Sequence, residues 1–407
     1  VFTTKIMNNL PCKLAALCFL LVMAPAAAAA QGGTIARGGY LATVGDCEIC
    51  HTAPEAGAKP FAGGYPLHAI FGTVYSTNIT PDRATGIGKW NPDDFYRAMH
   101  DGIAADGGHL YPAFPYPYFR KISRSDSDAI YAYLRTLAPV HQAPRPNHLI
   151  FPTDIRFLMT FWNGLFTPQS RFKPDPSRSP VWNRGGELVH GLGHCGGCHT
   201  PKNVFFSDKS GEALQGETID NWHAPNLSGS LRTGLGEWSA ADIAQYLKTG
   251  KNRFGWVVGN MRDVVRVSTS RWTDGDRNAV AVYLKSLPAA PEKQVGSPDA
   301  GVMKAGEDVY VARCAVCHES RNGDYPSLAR NTLLNAPDAT TVVRVILQGS
   351  QSPSIAGQPG SYSMPAFPVL GDKDLAAVAT YIRNSWGNRA APVSPKDVKT
   401  LRAAIRR

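Results

Sequence analysis

Cysteine is scarce in this chain, and none of it is spare. Of 8 cysteines, Cys12 and Cys18 lie near the N-terminus, and the rest fall into three Cys-x-x-Cys pairs. No thiol is left over for a structural disulfide framework. Methionine is also rare, at 7 in 407 residues, so a methionine at a recurring place carries information. The later part of the chain has no apolar run near the roughly 20 residues a membrane helix needs. Lysine and arginine nowhere form a run interleaved with aromatics, which argues against a nucleic-acid surface despite a formal charge of +10. A basic face for an acidic partner or an anionic membrane surface remains open. What is abundant is glycine and proline, 39 and 31 residues, which suggests long loops between short helices. An apolar content of 43% is ample for packed cores, and the length suggests two to four domains.

The N-terminus reads as a secretory signal peptide over residues 1–30. Lys5 and Lys13 supply the positive region, Leu14 to Ala24 the apolar run, and Ala28-Ala29-Ala30 the small residues before Gln31. The competing reading is a retained anchor, for which the run is short.

Each later Cys-x-x-Cys pair is followed directly by histidine: Cys47-Glu48-Ile49-Cys50-His51, Cys195-Gly196-Gly197-Cys198-His199 and Cys314-Ala315-Val316-Cys317-His318. This is the pattern of covalent c-type haem attachment. Two thiols on one helical turn can each add to a vinyl group of one porphyrin, and the adjoining histidine faces the iron. Zinc would need four ligands per site. A redox Cys-x-x-Cys needs no following histidine. Three covalently bound haem c groups are therefore expected. Cys47, Cys50, Cys195, Cys198, Cys314 and Cys317 would hold them, with His51, His199 and His318 on the irons. Covalent haem attachment also requires export.

The surrounding sequence repeats. Asn78-Ile79-Thr80 to Trp90 parallels Asn226-Leu227-Ser228 to Trp238 without a gap, and the register continues to Gly102 and Gly250. Asp126, Asp276 and Asp374 each precede a tyrosine, Tyr133, Tyr283 and Tyr381, in a closing helix. Gly39, Gly186 and Gly306 stand at similar distances before their cysteines. The fold class expected is all-α: three tandem class I cytochrome c-like domains, each a small helical bundle around one covalent haem. The first spans 31–140, the second 181–290 and the third 300–387. Residues 141–180 form a linker whose aromatic run, Phe157 to Phe166, reads as a wedge between domains or as a surface for a partner subunit or lipid. Residues 388–407 form a basic amphipathic tail, either a membrane-interface helix or one docked on the third domain.

The sixth iron ligands decide the chemistry. A His/Met iron is saturated and passes electrons. Met261 and Met364 are the candidates in the second and third units. In the first, Met261 corresponds to Ala113 or Phe114, and phenylalanine cannot bind iron. His109 on the same loop is the candidate there, with His100, Met99 and His68 behind it; an open site is the alternative. Carbonyls that accept from the other ring N–H of the three motif histidines are expected from the loops at Pro54, Pro201 and Pro326. Trp90 and Trp238 are candidates to bond haem propionates.

The three Cys-x-x-Cys-His units, the Ala-Pro-Asn-Leu to Thr-Gly-Leu-Gly-Glu-Trp block at 224–238, Tyr-Leu-Lys-Thr-Gly at 246–250 and Leu-Tyr-Pro-Ala-Phe-Pro-Tyr at 110–116 carry a resemblance. Together they resemble the tri-haem cytochrome c subunits of periplasmic membrane-bound dehydrogenases, over nearly the whole chain after residue 30. Phe114-Pro115-Tyr116 stands where the alcohol dehydrogenase branch has Met-Pro-Tyr. With His109, this looks more like the aldehyde or N-heterocycle branch. The resemblance implies a separate catalytic dehydrogenase subunit (molybdopterin, quinoprotein or flavoprotein) and a small third subunit. It further implies electron delivery to ubiquinone on the periplasmic side of the cytoplasmic membrane, without substrate chemistry on this chain. The alternative is a haem enzyme or a gas- or peroxide-binding protein that uses an open first haem.

Overall fold

The computed structural model describes residues 32–167, 172–319, 325–355 and 363–405. The expected signal peptide and the last two residues of the tail lie outside them. Short helices in long loops make up most of the chain, as the glycine and proline content implies. Helix α1 covers 32–44, and α2 is the single turn Cys47–Cys50. They are followed by α3 (Pro92–Asp101), α4 (Tyr116–Phe119) and α5 (Arg124–Leu134). The connector holds α6 (Leu158–Phe166). Then come α7 (Pro180–His190), α8 (Gly196–His199), α9 (Ala240–Thr249), α10 (Asn260–Val267) and α11 (Asp274–Lys285). The last group is α12 (Ala300–Arg313), α13 (Ala315–His318), α14 (Thr340–Gln348) and α15 (Asp372–Ile382), with α16 (Pro395–Ala404) as the tail.

The all-helical expectation needs one amendment. Short antiparallel ladders pin the loops: β1 (Pro66–Ala69) with β2 (Gly72–Tyr75), and β4 (Glu217–Ile219) with β5 (Trp222–Ala224). Two-residue pairs do the same at β6 (Lys251–Asn252) with β7 (Gly255–Trp256), and at β8 (Ser350–Gln351) with β9 (Ser363–Met364). In each case a loop too long to remain unpaired satisfies its backbone groups against itself. The connector joins in: its strand β3 (His148–Leu149) pairs with β2 as the third strand of the first ladder.

The helices start where their side chains can cap them. Asn91, Ser239 and Ser394 each form a reciprocal capping box with Asp94, Asp242 and Asp397. Ser123, Ser179 and Thr273 accept from backbone N–H groups in the first turns of α5, α7 and α11.

One contact organises each helical group. The helix before the Cys-x-x-Cys-His turn crosses the closing helix at a glycine. A Cβ on Gly38 would lie 1.8 Å from the carbonyl oxygen of Ala129; on Gly185, 2.0 Å from that of Ala279; on Gly306, 2.2 Å from that of Ala377. The backbones touch, and no side chain fits between them. In the first two groups this is the residue before the glycine singled out from the sequence. Gly39 and Gly186 instead lie under the rings of Tyr133 and Tyr283. Two adjacent glycines leave the spacing argument one residue short of a decision.

The hydrophobic core does not divide by three. One cluster runs from Leu41 to Leu284 and holds Leu188, Leu192, Phe119 and Ile122 from both sides of the connector. A second runs from Tyr310 to Leu401. Polar contacts seal the first junction: Tyr40 donates to Asp276 Oδ2 at 2.6 Å, and Ser268 Oγ donates to the Thr43 carbonyl at 2.6 Å. The connector lies across the same junction. Trp162 Nε1 donates to the Phe205 carbonyl at 2.7 Å, and Arg120 Nη1 donates to that of Thr167 at 2.7 Å. The inner side of α6 is thus a wedge. The tail docks on the second cluster through buried Val398 and Leu401.

Two predictions follow from this packing. Gly306→Ala forces α12 and α15 apart at backbone contact and should destabilise the C-terminal core by about 1–3 kcal/mol. Because that core forms its own cluster, calorimetry should show one transition moving while the other stays. His190 is half-buried with Nε2 2.6 Å from the Tyr283 hydroxyl, and desolvation pushes its pKa down to about 4 from 6.5. Its neutral form is favoured in the fold, so the unfolded chain takes up the proton first as pH falls. The stability it contributes is whole above pH 6.5 and is lost on descent to about 4. His190→Phe should flatten that part of the stability–pH curve, by roughly 2–3 kcal/mol between its ends.

Candidate functional site

The three Cys-x-x-Cys-His turns are built alike. In each, the histidine N–H donates to the first cysteine's carbonyl: His51 to Cys47 at 3.0 Å, His199 to Cys195 at 3.0 Å and His318 to Cys314 at 3.1 Å. This one-turn closure sets both thiols and the imidazole on the same short helical segment. All six cysteines are free thiols. Burial pushes Cys47, Cys50 and Cys195 up to about 12, and Cys198 and Cys314 upward as well. Thiols held protonated in this way are poor redox nucleophiles, which counts against a thiol–disulfide function. Among the described residues, no group of three or more His, Cys, Asp and Glu side chains could hold a metal ion.

Each motif histidine has its Nδ1 against a main-chain carbonyl. The partner of His51 is Thr77 at 2.6 Å, that of His199 is Pro225 at 2.7 Å, and that of His318 is Pro326 at 3.3 Å. A carbonyl accepts only, so Nδ1 carries the proton and Nε2 keeps its lone pair for a metal. Burial favours the neutral ring in all three, and brings His199 to about 4. Pro326 is where the sequence placed it, but the loops at Pro54 and Pro201 do not provide the bond. The carbonyl comes from 26 residues downstream in the first two motifs and from 8 in the third. A signal for it was present: Thr77-Asn78-Ile79, Pro225-Asn226-Leu227 and Pro326-Ser327-Leu328 share a polar residue then an aliphatic one after the acceptor. It is hard to find because the intervening loop differs so much in length.

The second motif opens on an apolar cavity. Cys195, Cys198 and His199 line it together with Met261, Trp238 and Tyr246. Met261 is thereby brought to the same space as the motif that the sequence paired it with. Gly259 precedes it at φ 62°, and a Cβ there would come within 2.6 Å of the Trp222 ring. Only glycine allows the chain to turn into α10 against that indole. Trp238 stacks on Phe254 at 5.3 Å between ring centroids. Its Nε1 is buried without a hydrogen-bond partner, in the wall of this cavity. The donor set therefore fits a covalent haem: two thiols for the vinyl groups, an imidazole and a thioether for the iron, and an orphaned indole N–H for a propionate oxygen.

In the third group Met364 lies on β9, opposite Ser350, and packs against the second core cluster along with Cys314. The ladders give a common register. Gly102, Gly250 and Gly349 end the middle helices α3, α9 and α14. The next residue pairs with His109 in the first group, Trp256 in the second and Met364 in the third. Met261 and Met364, taken from the sequence as equivalent, are thus at different steps, and His109 shares the step of Met364. The carbonyls of Gly102 and Gly250 also accept from Leu110 and Val257, both at 2.7 Å. That register aligns Met261 with Phe114 rather than Ala113. Phe114 packs edge-on against Phe119 at 5.5 Å.

His109 differs from the motif histidines. Its Nδ1 is 3.0 Å from Asn163 Nδ2, which is a donor. The Asn163 Oδ1 accepts from the Tyr116 hydroxyl, so the amide has a reason for its orientation. For His109 to offer Nε2 to iron with Nδ1 protonated, this amide would have to turn over. Of the weaker candidates, His100 has its Nδ1 2.7 Å from Asp101 Oδ1, His68 has its Nδ1 3.0 Å from Thr73 Oγ1, and Met99 lies in the first core cluster.

One pair was not legible in the sequence. Asp46 and His194 each stand just before a motif, and their side chains meet at 3.8 Å across the junction of the first two groups. Asp46 is enclosed, and burial raises its pKa to about 6. The first two Cys-x-x-Cys-His turns therefore face each other through a buried acid–histidine contact.

Comparison with known proteins finds relatives over most of the chain. The sequence profile of the family described as cytochrome c oxidase, cbb3-type, subunit III matches residues 301–382. The chain is 41% identical to the gluconate 2-dehydrogenase cytochrome c subunit of Pantoea cypripedii, over 92% of this chain and 90% of that one. It is 39% identical to the cytochrome c subunit of the quinone alcohol dehydrogenase of Gluconobacter oxydans, over 96% and 87%. It is 35% identical to the fructose dehydrogenase cytochrome subunit of Gluconobacter japonicus, over 93% and 85%. These values lie too close together to select a substrate. They extend over 92%, 96% and 93% of this chain, and the chain belongs to the family of cytochrome c subunits of gluconate, alcohol and fructose dehydrogenases.

Proposed function

We propose that this chain is the electron-transfer subunit of a dehydrogenase complex and carries three covalent haem c groups, one at each Cys-x-x-Cys-His turn. The observation that supports this most directly is the threefold repeat of one arrangement: paired free thiols on one helical turn, and a histidine whose Nδ1 is engaged by a carbonyl so that Nε2 is free. Bound haem supplies a one-electron iron couple. The protein's part is to exclude water, hold Nε2 at the iron and set the potential through the sixth ligand. Met261 and Met364 fill that role in the second and third units.

Electrons enter from a catalytic subunit that oxidises an aldehyde or alcohol, built on molybdopterin, a quinone cofactor or flavin, with a small third subunit in the complex. They leave to ubiquinone at the periplasmic face of the cytoplasmic membrane. The three helical groups act as tandem cytochrome c domains over 31–140, 181–290 and 300–387. The shared core of the first two keeps their haems at a constant separation, which a wire requires.

The first haem is the place where a second reading arises, because Phe114 occupies the register of Met261. We assign His109 as its sixth ligand, with the Asn163 amide turned so that its oxygen accepts from Nδ1. An open first haem would instead favour a peroxide- or gas-binding role.

Replacing Met261 or Met364 by leucine should lower one haem potential in each case, by on the order of 0.1–0.3 V within the ~0.8 V that axial ligands span. Spectropotentiometric titration reads this directly, and an unchanged titration would reject that ligand. His109→Ala should convert one low-spin haem to a high-spin, carbon monoxide-binding form in EPR and visible spectra. If the unaltered protein already shows such a haem, the first site is open and the second reading replaces the wire at that position.

A further inference from the structure

The outer side of the connector is uncovered. Phe157, Phe161 and Leu165 follow at helical spacing along α6 and are 68%, 58% and 77% exposed. Ile150, Phe151 and Ile155, just before the helix, are exposed as well. So are Ile70, at the turn between β1 and β2, and Val204 and Phe205, in the loop after α8. These segments touch one another. The Ile150 N–H donates to the Phe71 carbonyl at 3.1 Å, the Phe71 ring meets Phe206 at 5.3 Å, and Phe205 stacks on Phe166 at 5.4 Å. Isolated apolar side chains on a surface are ordinary, but a continuous patch drawn from three parts of the chain is not.

Charge indicates what the patch meets. From Arg145 to Lys173 the sequence has one acidic residue, Asp154, against Arg145, Arg156, Arg171 and Lys173. Arg145 pairs with Glu55 at 3.0 Å; Arg156 donates through Nε to the His109 carbonyl at 2.5 Å, and neither it nor Lys173 has a carboxylate within ion-pair distance among the described residues. No helix among those residues is long and apolar enough to cross a membrane, so attachment through them would be interfacial. The tail is not available for it. Val398 and Leu401, its apolar side, are 0% and 7% exposed against the second core, and Arg402 is held by Asp372 at 3.1 Å.

We propose that this patch is a lipid-docking surface: α6 lies in the plane of an anionic membrane, its phenylalanines and Leu165 in the boundary between headgroups and acyl chains, with Arg156 and Lys173 at the phosphates. The proposal rests on the membrane reading above and assigns that contact to the connector rather than to the tail.

The test uses the full haem-loaded chain and vesicles of phosphatidylethanolamine and phosphatidylglycerol in equal parts. The unaltered protein should co-sediment with them. The variant Phe157→Ser/Phe161→Ser/Leu165→Ser, with its visible haem spectrum intact, should bind at least about tenfold more weakly. Lys396→Glu/Lys399→Glu, on the tail, should bind like the unaltered chain. Equal binding by the triple variant would overturn the assignment of the surface while leaving membrane attachment standing. If the unaltered chain ignores the vesicles and the triple variant loses its catalytic subunit on co-purification, the patch is a protein interface and the proposal fails. Neither result would bear on electron transfer, which the redox titrations test separately.

Discussion

The bond from a motif histidine's Nδ1 to a main-chain carbonyl is the interaction that the rest of the structure serves. It selects one tautomer, aims Nε2 and fixes the ring. To deliver it, the chain must bring a carbonyl back over the Cys-x-x-Cys-His turn. The asparagine after the first two acceptors helps to hold the returning loop: Asn78 donates to the Val140 carbonyl at 2.7 Å and to Thr85 Oγ1 at 3.0 Å. Asn226 meets Thr233 in the same way at 3.3 Å. The third unit reaches the same end with a much shorter return, from Pro326 only 8 residues downstream.

Glycine at the helix crossing is the second constraint. Direct backbone contact between the first and closing helices leaves the turn between them with little freedom. The tyrosine of each closing helix then covers the crossing: Tyr133 over Gly39, Tyr283 over Gly186, Tyr381 against Tyr310 at 5.4 Å. The apolar moment of a helix is satisfied here by closeness rather than by large side chains. The space saved is the space beside the cysteines, which in the second unit is an aromatic-lined cavity.

Burial also explains how charge is distributed. Carboxylates near the helices are mostly caps or partners of arginine, as with Asp276 between Arg184 and Tyr40. Arg383 is enclosed and gives its guanidinium to the carbonyls of Leu334, Ala336 and Ala391. A cation spent on main-chain oxygens in this way closes the C-terminal core without an acid. The exposed apolar side of α6, with Phe157, Phe161 and Leu165, stands out against this pattern.

The sequence by itself determined the chemistry of the site. Cys-x-x-Cys-His is a local pattern, and one helical turn is enough to group its thiols and imidazole. The duplication across Asn78 and Asn226 and the closing tyrosines were legible for the same reason: each depends on residues close in the chain. The structure alone decided what depends on residues far apart. The carbonyl partners of His51 and His199 arrive from a distant loop that local spacing could not measure. The packing glycines lie one residue from those chosen, since adjacent glycines differ only in which face meets the other helix. The alignment of Met261 with Phe114 came from ladder hydrogen bonds. That the first two units share a core, that Asp46 meets His194, and that the tail is docked while α6 is bare are outcomes of packing between elements. Periodicity shows that a helix has an apolar face; only the neighbours that arrive in the fold settle whether that face is covered.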